Sequence, residues 1–124
     1  LGTSNVRFGV NAGNSIASGG NYNTVVGDEA GTALSTGDYN TAFGYAALFT
    51  EDAHGLNVAV GGRSLQALNA GADGYNTAVG YNTGRYVTTG TLNTLIGGLA
   101  GDALTIGNSN TAVGYNSLTL CWVL

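Results

Sequence analysis

The pentad Asn-x-x-apolar-Gly occurs seven times, as Asn5–Gly9, Asn23–Gly27, Asn40–Gly44, Asn57–Gly61, Asn76–Gly80, Asn93–Gly97 and Asn110–Gly114. Successive asparagines are 18, 17, 17, 19, 17 and 17 residues apart. A unit of that length is too small to bury a core alone. It is stable only when stacked on its neighbours, so the spacing predicts a solenoid in which each unit is one coil. The whole chain, residues 1–124, is read as one such repeat domain, with units beginning near residues 5, 23, 40, 57, 76, 93 and 110.

In a short strand the second and fourth residues of each pentad share one face, and the asparagine and the central residue share the other. The central residue is Ala42, Ala59, Ala78 or Ala112 in four copies, Val25 or Leu95 in two, and Arg7 in the first. Both faces are small or apolar, the pattern of a strand covered on both sides. One face is assigned to the coil interior. The other, carrying the small Ala42, Ala59, Ala78 and Ala112, is assigned to contact with another copy of the chain.

After the pentad, Ile16, Leu34, Leu68, Val87 and Leu104 stand eleven residues beyond the asparagine. A second glycine precedes the next asparagine, at Gly20, Gly37, Gly55, Gly74, Gly90 and Gly107. Together with the corner glycines Gly9, Gly27, Gly44, Gly61, Gly80, Gly97 and Gly114, they predict two tight corners joining two short strands per coil, with glycine supplying positive φ. The eighth position past the asparagine splits into Gly13, Gly31, Leu48, Leu65, Gly84, Gly101 and Leu118, read as neighbouring coils matched in width. Insertions before Asn23 and Asn76 are expected to be loops, and residues 63–70 are read as able to form a helical turn. The charged residues other than Arg7 fall in connectors, which are expected to face water.

Glycine is 22 of 124 residues, yet the glycines hold a fixed phase, and Leu, Ile, Val and Phe still number 29, which favours ordered coils over a flexible linker. A net charge of −4, with only Arg7, Arg63 and Arg85 as cations, argues against a nucleic-acid partner. The lone Cys121 cannot form an intrachain disulfide. No apolar run reaches the length of a membrane span, and a start at Leu1 without methionine or leader pattern suggests a processed chain or a fragment.

Asparagine heading every pentad predicts a ladder of amides at strand spacing, formed by Asn5, Asn23, Asn40, Asn57, Asn76, Asn93 and Asn110. Tyr22, Tyr39 and Tyr75 precede the asparagine and Tyr45, Tyr81 and Tyr115 follow the glycine, forming a candidate surface-binding stripe for a cell-surface glycan or receptor. No enzyme is expected. His54 near Asp52 lacks a nucleophile elbow, and the acidic pairs Asp28–Glu29 and Glu51–Asp52 form no ligand cluster, so neither a catalytic site, a metal nor any other cofactor is assigned.

The strings Asn76-Thr-Ala-Val-Gly-Tyr-Asn-Thr, Thr88-Thr-Gly-Thr-Leu-Asn-Thr and Asn110-Thr-Ala-Val-Gly-Tyr-Asn-Ser-Leu resemble repeat blocks of bacteriophage tail fibres. They are also similar to the heads of trimeric autotransporter adhesins, which carry an Asn-Ser-apolar-Ala-Ile-Gly pentad in shorter repeats. The resemblance spans residues 5–118. It implies an all-β, parallel, left-handed β-roll of about seven 17-residue coils assembled as a homotrimer, serving as a structural fibre module of an extracellular appendage, virion fibre or cell surface, with adhesion as a further role. The alternative is a self-polymerising filament subunit stacked end to end. In that arrangement the apolar Trp122, Val123 and Leu124 make the axial contact, against the first unit around Arg7 and Phe8, unless the natural chain continues beyond Leu124.

Overall fold

A computed structural model describes residues 2–119. Seven three-residue strands, β1 (Val6–Phe8), β2 (Thr24–Val26), β3 (Thr41–Phe43), β4 (Val58–Val60), β5 (Thr77–Val79), β6 (Thr94–Ile96) and β7 (Thr111–Val113), form one sheet in chain order. Every pair is parallel and in register, so Ala42 lies beside Ala59 and Ala59 beside Ala78. The chain is a parallel β-solenoid of about six turns, each about 17 residues long. Trp122, Val123 and Leu124, proposed above as the axial contact, lie outside the described residues.

The rest of each coil contains no second strand among the described residues; it is a run of turns. The reason lies in the backbone. Four positions per coil have positive φ: the residue before the asparagine, the pentad glycine, and the sixth and eighth residues past the asparagine, for example Tyr39, Gly44, Ala46 and Leu48. Alternating left-handed residues on the far side of the coil break any extended segment into successive turns, each closed by a bond such as Leu34 N–H to Gly31 O. These turns still stack on one another. Gly31 N–H donates to Ala47 O, Leu48 N–H to Ser64 O and Leu65 N–H to Thr83 O, a second ladder opposite the sheet. Residues 63–70 belong to this turn run and form no helix.

The two glycine sets have different causes. The pentad glycines have φ between 122° and 139°, and a Cβ on Gly44 would meet the carbonyl carbon of Gly61 at 2.7 Å, so both conformation and stacking demand glycine. The second set does not adopt positive φ, correcting the expectation above. A Cβ there would instead crowd a neighbouring coil, as at Gly20, where Ser35 O would be 2.7 Å away, or the ladder itself, as at Gly107, where Asn110 Nδ2 would be 2.9 Å away.

The asparagine and the central strand residue point into the coil. Asn23, Asn40, Asn57, Asn76 and Asn93 are buried, as are Val25, Ala42, Ala59, Ala78, Leu95 and Ala112. Each asparagine Oδ1 accepts the backbone N–H of the next asparagine, as in Asn40 N–H to Asn23 Oδ1 at 2.8 Å and Asn93 N–H to Asn76 Oδ1 at 3.0 Å. Each Nδ2 donates to a carbonyl at the corner preceding an asparagine, such as Asn23 Nδ2 to Gly37 O at 2.8 Å. The ladder is therefore mixed, with side chain clasping backbone, and it supplies partners to buried polar groups that would otherwise be costly.

The split at the eighth position is explained by core volume rather than coil width. Where the strand centre is large, at Val25 and Leu95, the facing positions are glycine: a Cβ on Gly31 would lie 2.7 Å from Val25 Cγ1, and one on Gly101 would lie 2.8 Å from Leu95 Cδ2. Where the centre is Ala42 or Ala59, Leu48 and Leu65 fill the interior and are fully buried. Where both are small, at Ala78 and Gly84, neighbouring coils fill the space: a Cβ on Gly84 would lie 2.8 Å from Leu95 Cδ1 and 3.0 Å from Leu65 Cδ2, so large and small side chains interleave within and between coils to keep the packing dense.

Candidate functional site

The inward direction of Ala42, Ala59, Ala78 and Ala112 removes them from any contact between chains. The first three are 0% exposed and Ala112 is 5% exposed, all within the hydrophobic core. Small size at these positions reflects the narrow bore of the coil. The outward face consists of the first and third residues of each strand: Thr24 and Val26, Thr41 and Phe43, Val58 and Val60, Thr77 and Val79, Thr94 and Ile96, Thr111 and Val113, preceded by Val6 and Phe8. None is charged, and the residues immediately before the asparagines (Ser4, Tyr22, Tyr39, Leu56, Tyr75, Leu92 and Ser109) carry no charge either. Phe8, Phe43, Ile96 and Val113 are exposed. With six interstrand steps of about 4.8 Å, this uncharged strip, a row of mostly threonine beside a row of valine, isoleucine and phenylalanine, runs about 29 Å along the axis. A continuous strip of this kind, on a chain whose charges all lie elsewhere, is the feature that marks contact surfaces.

Tyrosines border the strip on both sides. Tyr22, Tyr39 and Tyr75 stand before the asparagine, and Tyr45, Tyr81 and Tyr115 stand after the glycine; all six are exposed. The Tyr22 and Tyr39 rings stack on each other, with centroids 5.0 Å apart and planes 12° apart. The other row alternates as Tyr45, Gly62, Tyr81, Gly98, Tyr115. A Cβ added to Gly62 would come within 3.3 Å of the Tyr81 ring, and one on Gly98 within 3.5 Å of the Tyr115 ring, so these two rings rest against the glycine of the coil before. The Arg63 guanidinium sits 5.6 Å from the Tyr45 ring centroid, and Arg85 lies 5.1 Å from that of Tyr86.

The connectors do not uniformly face water. Glu51 is 0% exposed and lies eleven residues past Asn40, the register held by Leu34 and Leu68 in the adjacent coils. Its carboxylate accepts the N–H of Ala70 at 3.2 Å and of His54 at 3.3 Å, with His54 Nδ1 at 3.4 Å. Burial raises its pKa above the ordinary value of 4.5, while those N–H groups and His54 act in the opposite direction. Register alone could have identified it, because it interrupts an otherwise apolar row.

A further set of clasps also escaped the sequence reading. Asn21, Asp38, Asp73 and Asn108 each accept, through Oδ1, a backbone N–H of the preceding coil, from Thr3, Asn21, Gly55 and Thr91 in turn, at 2.6 to 3.1 Å. Their signal is a side chain with an Oδ1 acceptor two or three residues before the asparagine. Asp28 likewise takes Val10 N–H at 3.1 Å, and Asp52 takes the Ser35 hydroxyl. These carboxylates staple coil to coil and do not converge on a common point.

No protein-family model matches this chain, and neither the curated proteins nor the solved structures give a match.

Proposed function

We propose that the chain is a structural fibre module of an extracellular appendage such as a phage tail fibre, built from left-handed coils that associate side by side as a homotrimer through the outer sheet face. The observation that carries this reading is the charge-free strip from Phe8 to Val113, which repeats with the coil along the whole described length. A partner must match that repeat to cover it, and another copy of the same solenoid does so by construction. The flanking tyrosines supply rigid amphipathic groups at the edge of the contact, suited to adhesion to a surface glycan or receptor.

Light scattering tests the assembly. The expected mass is that of a trimer, and replacing Phe43 and Ile96 with Asp should release folded monomers, because both side chains are exposed in the single chain and would be desolvated only in the contact. Ala78→Asp, by contrast, should abolish folding, because it places a charge inside the coil. A monomeric wild-type protein would refute the proposal.

A further inference from the structure

The two tyrosine borders of the strip are built differently. Tyr22 and Tyr39 stand on adjacent coils and stack ring on ring at 5.0 Å, so their facing surfaces are consumed by each other. On the other border the residue after each pentad glycine alternates as Tyr45, Gly62, Tyr81, Gly98, Tyr115. Backbone bonds lock this row in register, one coil per step. Arg63 N–H donates to Tyr45 O, Asn82 N–H to Gly62 O, Leu99 N–H to Tyr81 O and Asn116 N–H to Gly98 O, at 2.7 to 2.9 Å. The three rings therefore stand in line, each two coils from the next, which is about 9.6 Å at about 4.8 Å per step. The glycines between them clear the space into which Tyr81 and Tyr115 lean. Tyr45, Tyr81 and Tyr115 remain 54%, 60% and 78% exposed.

We propose that Tyr45, Tyr81 and Tyr115 form a binding site for an extended, uncharged β-1,4-linked polysaccharide chain laid along the solenoid axis. A tyrosine ring is a rigid platform that covers the C–H face of a pyranose and loses little side-chain entropy in doing so. In a β-1,4-linked chain each sugar is turned half a revolution from the last. Every second sugar thus offers the same face on the same side, and that two-sugar repeat closely matches two coil rises. Sugars one, three and five then meet the three rings. An α-1,4-linked chain curls and loses this register. Between Tyr81 and Tyr115 neither the row nor the residues that follow it, Asn82, Leu99 and Asn116, carries a charge, which suits a neutral ligand. The Arg63 guanidinium, 5.6 Å from the Tyr45 ring centroid, places N–H donors beside the first ring for sugar hydroxyls. This inference rests on the adhesive reading of the tyrosine borders and is separate from the trimer.

The test is isothermal titration calorimetry of the whole chain with cello- and chito-oligosaccharides of three, five and six sugars, with maltopentaose as the α-linked control. Sedimentation of the same samples reads the oligomer. At least one β-1,4 pentasaccharide should bind about tenfold more tightly than its trisaccharide, which reaches only two rings, and the hexasaccharide should add no more than about twofold. Whether glucose or N-acetylglucosamine chains bind identifies the sugar. Tyr81→Ala should weaken the pentasaccharide about tenfold, Tyr81→Phe should retain it, and Tyr86→Ala, outside both borders, should leave it unchanged. Failure of both β-1,4 pentasaccharides to bind, equal binding of maltopentaose, or wild-type affinity in folded Tyr81→Ala would overturn the site. A trimer that binds neither chain overturns this site alone, whereas a monomer that binds with the expected length dependence supports the site and overturns the trimer.

Discussion

Asn57 stands near the middle of the ladder, and truncating it to alanine isolates what one clasp contributes. Its Nδ2 donates to Gly55 O at 3.0 Å and Asn40 Oδ1 at 3.3 Å, while its Oδ1 accepts Asn76 N–H at 3.3 Å and Asn76 Nδ2 at 3.1 Å. In Asn57→Ala three of the surviving groups keep another partner. Gly55 O still receives Gly74 N–H, Asn40 Oδ1 still receives residue 57 N–H, and Asn76 Nδ2 still reaches Gly90 O. The backbone N–H of Asn76 does not, and it is left buried and unsatisfied. An orphaned buried donor costs about 1–3 kcal/mol and the other lost bonds somewhat less each, so the variant should lose about 3–5 kcal/mol. That is a large share of the total stability of a small domain. Asn110→Ala removes two bonds from a partly exposed residue with no described coil beyond it, where water can substitute, so it should lose about 1 kcal/mol or less. Chemical denaturation of both variants measures the difference. Equal losses within about 0.5 kcal/mol would show that the interior clasp contributes nothing special, and the ladder argument would fail.

Two further outcomes follow from the same geometry. Gly44→Ala, at φ 129° and with Gly61 in the way, should destabilise by about 4 kcal/mol or more, whereas Gly71→Ala, at φ 73° with open space around it, should lose only about 1 kcal/mol; thermal melts separate the two. For Glu51, a folded-state pKa above 4.5 means the native protein binds more protons than the unfolded chain, so its stabilising contribution is full below 4.5 and is lost as pH rises through the folded value. The stability of wild type relative to Glu51→Gln should therefore fall as pH is raised from below 4.5 toward neutrality; a difference that is flat with pH, or that rises, contradicts the burial argument.

The sequence alone determined the period, the parallel stacking and the positions of the ladder asparagines and the corner glycines. In a solenoid every coil repeats the same contacts, so Asn40, Asn57 and Asn76 must recur at the same phase, as must Gly44, Gly61 and Gly80. It did not fix which face of the pentad is inside, and the assignment of Ala42, Ala59, Ala78 and Ala112 to an interchain face was the wrong choice of the two. Threonine and valine on one side and alanine on the other are both compatible with burial, and the choice depends on the direction in which the chain curls. That direction emerges only from the combined φ values at positions such as Tyr39, Gly44, Ala46 and Leu48, three of which are not glycine and carry no local signal for a left-handed conformation. The same curl turned Ala42 inward and Phe43 outward, placed Glu51 in a core row instead of in solvent, and set Gly31 against Val25 as a matter of volume. Local periodicity is written in the chain; inside and outside are properties of the closed coil.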